Sequence, residues 1–198
     1  MGRDAALGGA MSDPAAANVL RPERTALVVV DLQEKLLPAI ANREAVVRNA
    51  VLLLRLADVL ALPVLLTTQY SRGLGPTVPE VLAAVPGAAP LDKVSFGCFG
   101  SPEFLDRVKA LDGRDQLVVA GIESHICVAQ TVLGALEHGY AVHVASDAVG
   151  SRSAENRAVG LGRMERAGAL LSSTEMAIYE LLGRSDAAAF KRMLPLLK

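Results

Sequence analysis

Three residues of the chain could together carry out covalent catalysis. Cys127 provides a thiol, Lys93 an ammonium group and Asp31 a carboxylate. A thiolate forms a covalent intermediate with an electrophilic carbon when a base removes its proton and a cation stabilises its charge. Each residue also has a more ordinary interpretation: a cysteine packed in the core, a lysine at the surface, and an aspartate that caps a helix. The functional interpretation therefore requires a fold that brings the three side chains together.

The position of Cys127 favours a function more than its residue type does. Cys127 follows the apolar segment 116–120 and lies near the start of the next predicted helix, which continues to His138. In the first turn of a helix, unpaired backbone N–H groups and the helix dipole stabilise a thiolate, which favours a lowered thiol pKa. The same N–H groups could bind an oxyanion that develops on a substrate.

The elements that must position these residues alternate between strand and helix. Short apolar runs predict buried strands, and apolar residues at helical spacing predict helices. The predicted strands are 25–31, 63–67, 116–120, 140–145 and 169–171. The predicted helices are 44–60, 102–111, 121–138, 155–167, one capped by Ser173 or Thr174, and 186–197. The alternation predicts a Rossmann-like, three-layer α/β/α sandwich around a mainly parallel sheet of five or six strands.

Chemistry in such a sheet is expected at the carboxyl ends of its strands, near the point where the strand order reverses. Asp31, residues 67–70, residues 121–127 and Asp147 lie at these ends. We expect Asp147 to fix the loop that follows it and to cap the helix from Ser153. Residues 68–90 contain several glycines and prolines, which predict a loop.

Length and composition favour one domain and exclude several classes of function. A chain of 198 residues can bury a substantial core, and we predict a disordered leader over residues 1–20 before a single domain over 21–198. The formal net charge of −1 offers no basic field for nucleic acid. No apolar run reaches the ~20 residues that span a bilayer. Two cysteines and no export signal favour a reducing, cytoplasmic compartment.

The motifs around the three candidate residues resemble those of the isochorismatase-like cysteine hydrolases. The aspartate lies in VVVDLQ, the lysine in KVSFGCF and the cysteine in GIESHICVAQT. Together with QYSRGLGPTVPE and HVASDAVGSRS, these motifs resemble most closely the isochorismatase-domain-containing subfamily. The resemblance runs from about residue 25 to residue 182 in the family's order. It implies the isochorismatase-like hydrolase fold and a catalytic triad of Asp31, Lys93 and Cys127.

The resemblance also implies how the triad would work. Asp31 would accept the thiol proton, Lys93 would keep the charged forms stable, and Cys127 would form a thioester-type intermediate. The family has a cis peptide bond before the nucleophile, which would be Ile122–Glu123 here. The N–H groups of Glu123 and Cys127 would then form the oxyanion hole. The implied substrate is a small amide, carbamoyl compound or ester.

The sequence departs from the nicotinamidases of this family at their metal site. Those enzymes carry Asp-x-His after the second strand, where this chain reads TTQYSRG. His138 and His143 lie at a helix end and within a strand, where a surface histidine or one with a satisfied side chain is the better interpretation, and His125 has no visible partner for metal binding. We therefore predict a metal-independent enzyme without a cofactor. Because family members that cleave the vinyl ether of isochorismate need not have the cysteine, Cys127 favours acyl transfer. An isochorismate-like substrate is the alternative.

The neighbours of the triad motifs are candidates for a substrate pocket and a subunit interface. The candidate lining residues are Gln33, Gln69, Tyr70, Phe96 and Phe99. Ordinary packing of the two phenylalanines is an equal alternative, and Cys98 has no matching role in the family. Family members usually form dimers or larger assemblies, so we expect a homo-oligomer, with Arg152 as a candidate contact.

Two other interpretations of the sequence lead to different functions. One is a non-catalytic member of the same fold that serves as an oligomeric binding or scaffold protein. The other is a nucleotide-binding Rossmann domain, which needs glycines in the first strand-to-helix turn. That turn reads DLQEKLLP and has none.

Overall fold

Six parallel strands form a single sheet at the centre of the protein. The structure, a computed structural model, describes residues 19–197. The strand order is β3-β2-β1-β4-β5-β6, and every neighbouring pair is parallel. The strands are β1 (Thr25–Val30), β2 (Val64–Gln69), β3 (Leu91–Lys93), β4 (Gln116–Ile122), β5 (Ala141–Gly150) and β6 (Leu170–Ser172). The predicted α/β/α sandwich around a parallel sheet is confirmed.

Helices cover both faces of the sheet. They are α1 (Arg43–Leu60), α2 (Ser71–Leu74), α3 (Pro79–Ala84), α4 (Pro102–Lys109), α5 (Ala129–Glu137), α6 (Ala154–Arg166), α7 (Thr174–Leu182) and α8 (Ala188–Met193). Helices α1, α3, α7 and α8 pack on one face, and α4, α5 and α6 pack on the other. Because both faces are covered, the strands must be apolar on both sides.

Strand β1 shows why the sequence of the sheet is continuously apolar. All six of its residues are buried. Successive side chains of a strand point to opposite faces, and Leu27 and Val29 accordingly join the core under α1. Ala26, Val28 and Val30 join the core under α4, α5 and α6. A run without polar positions is therefore required at the centre of this sheet.

The loop predicted for residues 68–90 is wrong in part, because two short helices lie within it. Helix α2 occupies Ser71–Leu74, and α3 occupies Pro79–Ala84. Pro79 starts α3 because the first turn of a helix needs no donor from that position. Strand β3 was also not predicted, since only three residues pair with β2 and two of them are the polar Asp92 and Lys93.

Strand β4 continues beyond its predicted end at Ala120, and Gly121 is a strand residue rather than the start of a helix turn. Gly121 has φ 122°, and a Cβ there would overlap the carbonyl oxygen of Val30. Only glycine allows β4 to approach β1 this closely.

The strand order reverses between β1 and β4, because the chain runs from β1 towards β3 on one side and continues from β4 to β6 on the other. Their carboxyl ends are where a ligand site is expected.

The leader predicted for residues 1–20 lies outside the described residues except for Val19 and Leu20. Leu20 is buried and its N–H donates to the Glu180 carboxylate, so the folded body includes Leu20. Within residues 19–197 no helix is both long enough and apolar enough to cross a bilayer.

The prediction that Asp147 caps the helix from Ser153, which is α6, is wrong. The hydroxyl of Ser153 caps α6 by itself, through the N–H of Asn156. The Asp147 carboxylate instead accepts hydrogen bonds from the N–H and hydroxyl of Thr174, at 2.7 and 2.9 Å. Ser173, one of the two predicted caps, is the N-cap of α7 and accepts the N–H of Met176. Asp147 adds a second cap to α7, because parallel pairing of β5 with β6 brings the start of that helix beside Asp147.

Candidate active site

A buried ion pair lies at the edge of the sheet where the parallel strands have their carboxyl ends. The Lys93 Nζ is 2.7 Å from Asp31 Oδ2, and both side chains are 0% exposed. Asp31 follows β1, and Lys93 is the last residue of β3. A buried charge without a partner is strongly destabilising, so each of these residues depends on the other.

The Lys93 ammonium has further acceptors around it. It donates to Gln69 Oε1 at 2.9 Å and lies 3.3 and 3.1 Å from the carbonyl oxygens of Ser95 and Phe96. These contacts hold the ammonium in one position and offset its removal from water. The sequence shows an isolated lysine in an apolar loop, whereas the fold encloses it completely.

The backbone and a hydroxyl group hold the Asp31 carboxylate in place. Asp31 has φ 53°, a left-handed conformation that aspartate adopts more readily than most residues. Its Oδ1 accepts the hydroxyl of Thr67 at 2.8 Å, while Oδ2 faces Lys93. The Cys98 thiol in turn donates to Thr67 Oγ1 at 3.9 Å. Sequence reasoning missed Thr67, because a threonine inside a strand carries no local signal of such a role.

Cys127 lies in an irregular turn next to this pair. Residues Ser124–Val128 form one π-helical turn between β4 and α5, and the N–H of Val128 bonds to the carbonyl of Glu123. Cys127 is 8% exposed, and its thiol lies close enough to Asp31 and Lys93 for the charges of both to act on its pKa. The structure therefore brings Asp31, Lys93 and Cys127 together.

The thiol does not have the lowered pKa that its position in the chain favoured. Burial, followed by the negative charge of Asp31, raises the pKa of Cys127 to about 12, and the positive charge of Lys93 only partly opposes this. Burial also raises the pKa of Cys98 to about 11. The raised pKa of Cys127 favours its protonated thiol at neutral pH.

The Ile122–Glu123 peptide bond, which comes just before the turn that carries Cys127, is cis. The carboxylate of Glu123 accepts hydrogen bonds from the backbone N–H and the Nε of Arg152, at 3.2 and 3.0 Å. Arg152, a candidate subunit contact from the sequence, thus pairs within its own chain. The oxyanion role of the Glu123 and Cys127 N–H groups stays a prediction.

Two of the candidate lining residues lie inside the fold. The Gln33 side chain is 0% exposed and bonds to the backbone of Gln69 at both its N–H and its carbonyl. Its Nε2 also donates to the carbonyl of Gly75. Gln33 therefore braces the end of β2 rather than lining a pocket. Gln69 contacts the Lys93 ammonium directly and belongs to the site.

The three aromatic candidates occupy different environments. Tyr70 and Phe96 are exposed at 52% and 57%, close in sequence to the groups that hold Lys93. Phe99 instead packs edge-on against Phe104, with ring centroids 5.2 Å apart. Phe96 and Phe99 both line a surface cleft of about 380 Å³ that faces α5. Ordinary packing accounts for Phe99.

No group of three or more His, Cys, Asp and Glu side chains could hold a metal ion within residues 19–197. His125 contacts Ser151 through Nδ1 at 3.0 Å, and the Nδ1 of His138 bonds to the carbonyl of Gly134. His143 is buried within β5. The prediction of a metal-independent reaction therefore stays a prediction, with no donor set in the described part of the chain that favours a metal.

The fold and the site define an α/β protein with a buried carboxylate, ammonium and thiol at its topological switch point. A model of the Isochorismatase domain matches residues 25–176. The chain is also 41% identical over 180 residues to isochorismatase domain-containing protein 2A of Mus musculus, covering 89% of this chain and 84% of that protein. The chain belongs to the isochorismatase family, which confirms the predicted family.

Solved structures of similar proteins have the same fold. MAR1 ribonuclease from Caenorhabditis elegans has a TM-score of 0.84 at 37% identity, covering 90% of this chain and 92% of that one. YcaC from Pseudomonas aeruginosa, solved with hexane-2,5-diol and covalent acrylamide, has a TM-score of 0.84 at 31% identity, covering 90% and 91%. The YcaC gene product from Escherichia coli, described as an octameric hydrolase of unknown specificity, has the same score and identity and covers 90% of both chains.

Proposed function

We propose that this protein is a metal-independent cysteine hydrolase of small amide-, carbamoyl- or ester-like substrates. Asp31, Lys93 and Cys127 are its catalytic triad. The observation that carries the proposal is the buried ion pair of Lys93 and Asp31, whose charges both act on the buried Cys127 thiol. This arrangement combines a nucleophile with a base and a cation.

The reaction begins from a neutral thiol. As the Cys127 sulfur bonds to the substrate carbonyl carbon, the thiol proton passes to Asp31, and the Glu123 and Cys127 N–H groups bind the oxygen that gains negative charge. Asp31 then gives that proton to the leaving amine or alcohol as the carbon–heteroatom bond breaks. A thioester remains on Cys127.

Water completes the turnover. Asp31, again ionised, takes a proton from the water that attacks the thioester, and the acid product leaves as sulfur regains a proton. Lys93 keeps its charge throughout and stabilises the carboxylate whenever the proton is absent from it. Each proton transfer uses Asp31, which lies in the same buried cluster as Lys93 and Cys127.

Two relatives support a nucleophilic site and the assembly. The Pseudomonas aeruginosa relative is described with covalent acrylamide, a small electrophile that adds to nucleophiles through its double bond. The Escherichia coli relative is described as an octamer, which supports a homo-oligomer for this chain. The proposal also includes a small-molecule substrate, a cytoplasmic location and no nucleic-acid partner.

The decisive experiment compares two cysteine variants on a panel of small amides, carbamoyl compounds and esters. We expect Cys127→Ala to lose hydrolysis of every substrate found, and Cys98→Ala to keep it, because Cys98 contacts Asp31 only through Thr67. Intact mass should detect an acyl adduct on the parent protein and none on Cys127→Ala. An active Cys127→Ala variant would contradict the assignment of Cys127 as the nucleophile.

A ribonuclease function is the second candidate, because the relative from Caenorhabditis elegans is described as a MAR1 ribonuclease. The formal net charge of −1 counts against binding to a polyanion. RNA should therefore remain intact with the purified protein. Cleavage that Cys127→Ala abolishes would instead replace the amide proposal. The panel also tests the vinyl-ether alternative if it includes isochorismate, and a protein inert to all substrates would favour the scaffold interpretation.

A further inference from the structure

We propose that the nucleophile turn, residues 123–127, is clamped from two sides, by residues 150–152 after β5 and by Gly160 of α6. Gly160 and Arg152 are positioning residues for the backbone N–H groups that stabilise the oxyanion. The inference rests on the proposed function, because that function assigns the oxyanion to the N–H groups of Glu123 and Cys127.

The first side of the clamp is a set of contacts from successive residues at the end of β5. The hydroxyl of Ser124 donates to the carbonyl of Gly150 at 2.9 Å. The next residue, His125, meets the hydroxyl of Ser151 at 3.0 Å. Ser124 and Ser151 are both buried, so these contacts are shielded from competition with water.

Arg152 extends this side of the clamp to Glu123. Its backbone N–H and its Nε both donate to the same carboxylate oxygen of Glu123, at 3.2 and 3.0 Å. The Glu123 side chain is only 14% exposed, whereas that of Arg152 is 58% exposed. An exposed ion pair contributes little stability. The ion pair between Arg152 and Glu123 therefore acts mainly by holding Glu123 in place, and the N–H of Glu123 is one of the two proposed oxyanion donors.

The second side of the clamp is a close approach between two backbones. A Cβ on Gly160 would lie 2.7 Å from the carbonyl oxygen of Ser124 and 2.9 Å from the nitrogen of His125. Both are backbone atoms of the nucleophile turn, so a side chain at position 160 must displace the turn or the helix. Glycine is unfavourable in a helix interior, and this close packing is a reason for its presence.

Gly162, two residues further along α6, provides the matched control. A Cβ there would meet first the guanidinium of Arg166 at 3.3 Å, and that flexible side chain can move. Replacing either glycine by alanine has the same effect on helix propensity. Only the change at Gly160 acts on the nucleophile turn.

The clamp should act on the oxyanion donors more than on the thiol proton. An oxyanion donor works only within about 2.7–3.1 Å of the oxygen it stabilises. A shift of the turn by a few tenths of an ångström therefore weakens oxyanion binding. Asp31, which follows β1, and Lys93, which ends β3, are the groups expected to control the thiol proton, whereas the atoms nearest to a Cβ on Gly160 belong to Ser124 and His125.

Two amide reagents separate these effects at Cys127. Acrylamide forms the sulfur–carbon bond while the electrons of its double bond move toward the amide oxygen, and the thiol proton finally reaches the adjacent carbon. Iodoacetamide forms the sulfur–carbon bond as iodide leaves and the thiol proton passes to Asp31, and no full charge develops on oxygen. The ratio of the two alkylation rates, measured by intact mass and peptide mapping, reports oxyanion stabilisation with the effect of thiol ionisation divided out.

We expect Gly160→Ala to lower the acrylamide rate by about 10-fold while the iodoacetamide rate stays within about 2-fold of the parent. Gly162→Ala should leave both rates unchanged. An unchanged ratio in a folded Gly160→Ala protein would overturn the clamp. A parent ratio equal to that of free cysteine would instead overturn the oxyanion assignment in the proposed function.

A second variant tests the clamp if Gly160→Ala does not fold. Arg152→Gln removes the ion pair to Glu123 from an exposed position, and we expect the rate ratio to fall by about 3-fold. Arg163→Gln, an exposed change on α6, is its control and should leave the ratio unchanged. Equal ratios in Arg152→Gln and Arg163→Gln would contradict the positioning role of Arg152.

Discussion

Two aspartates at the same edge of the sheet have opposite environments. Asp31 follows β1 and Asp147 lies near the end of β5, and each accepts the hydroxyl of a threonine. Asp31 is fully buried and its second oxygen faces Lys93. Asp147 is half-buried and accepts the N–H of Thr174 at the start of α7. One carboxylate belongs to a charged cluster with a thiol, and the other caps a helix.

The difference arises from the position of the two strands in the sheet. β1 lies between β2 and β4, so the end of β1 receives side chains from both halves of the chain. β5 lies beside the edge strand β6, whose next element is α7. An aspartate at a strand end therefore indicates a site only when its neighbours bring chemistry to it.

The largest expected difference between the two regions follows from Asp31→Asn. This change removes the base and leaves the Lys93 ammonium buried without its counter-charge. We expect activity to fall by about 10³-fold or more and the free energy of unfolding to fall by about 3–5 kcal/mol. Turnover and urea denaturation measure the two effects. The double variant with Lys93→Met should regain stability without regaining activity, and a single variant of parental stability would contradict the buried pair.

Thr67→Val tests the second contact of Asp31. The change removes a hydrogen bond to a carboxylate without a large change of shape, and should cost about 2 kcal/mol of unfolding free energy. Thr68→Val is the matched control on the same strand, since its hydroxyl bonds to the exposed Asp92. Equal denaturation midpoints for the two variants would show that the Thr67 contact is not special.

Asp147→Ala should affect stability and leave the chemistry intact. Loss of the two hydrogen bonds from Thr174 at the start of α7, whose N-cap Ser173 remains, should lower the unfolding free energy by about 1 kcal/mol. Because Asp147 makes no contact with the triad in the described residues, Cys127 alkylation by iodoacetamide should keep its parental rate. A large fall in that rate would mean that the two regions are coupled.

The smallest effect is a pH dependence that only the Asp31 region should produce. Burial raises the pKa of Cys98 to about 11 and of Cys127 to about 12, above the ordinary value of 9.0. The unfolded chain therefore releases these protons first, and stability falls as the pH rises above about 9. At about pH 9.5 each buried thiol should lower the free energy of unfolding by about 1 kcal/mol, relative to its value at neutral pH. Denaturation of Cys98→Ala and Cys127→Ala, followed from about pH 8 to about pH 10, should show a shallower decline than that of the parent.

Much of the fold could be predicted because its signals are local. The apolar run of β1 and the helical spacing in α1 predict their elements directly. β3 could not be predicted, since its three residues are held by pairing with β2 rather than by a pattern of their own. Helix α2 also lacks a local pattern and depends on the left-handed backbone of Tyr70 before it.

The sequence by itself determined the alternation of strands and helices and, through its motifs, the three residues Asp31, Lys93 and Cys127. Only the tertiary structure decided that these residues meet, that Gln33 braces β2, and that Asp147 caps α7. It also decided the direction of the Cys127 pKa, because burial and the charge of Asp31 outweigh the charge of Lys93. Propensity is a property of neighbouring residues, whereas ion pairing and desolvation depend on groups that are distant in the chain.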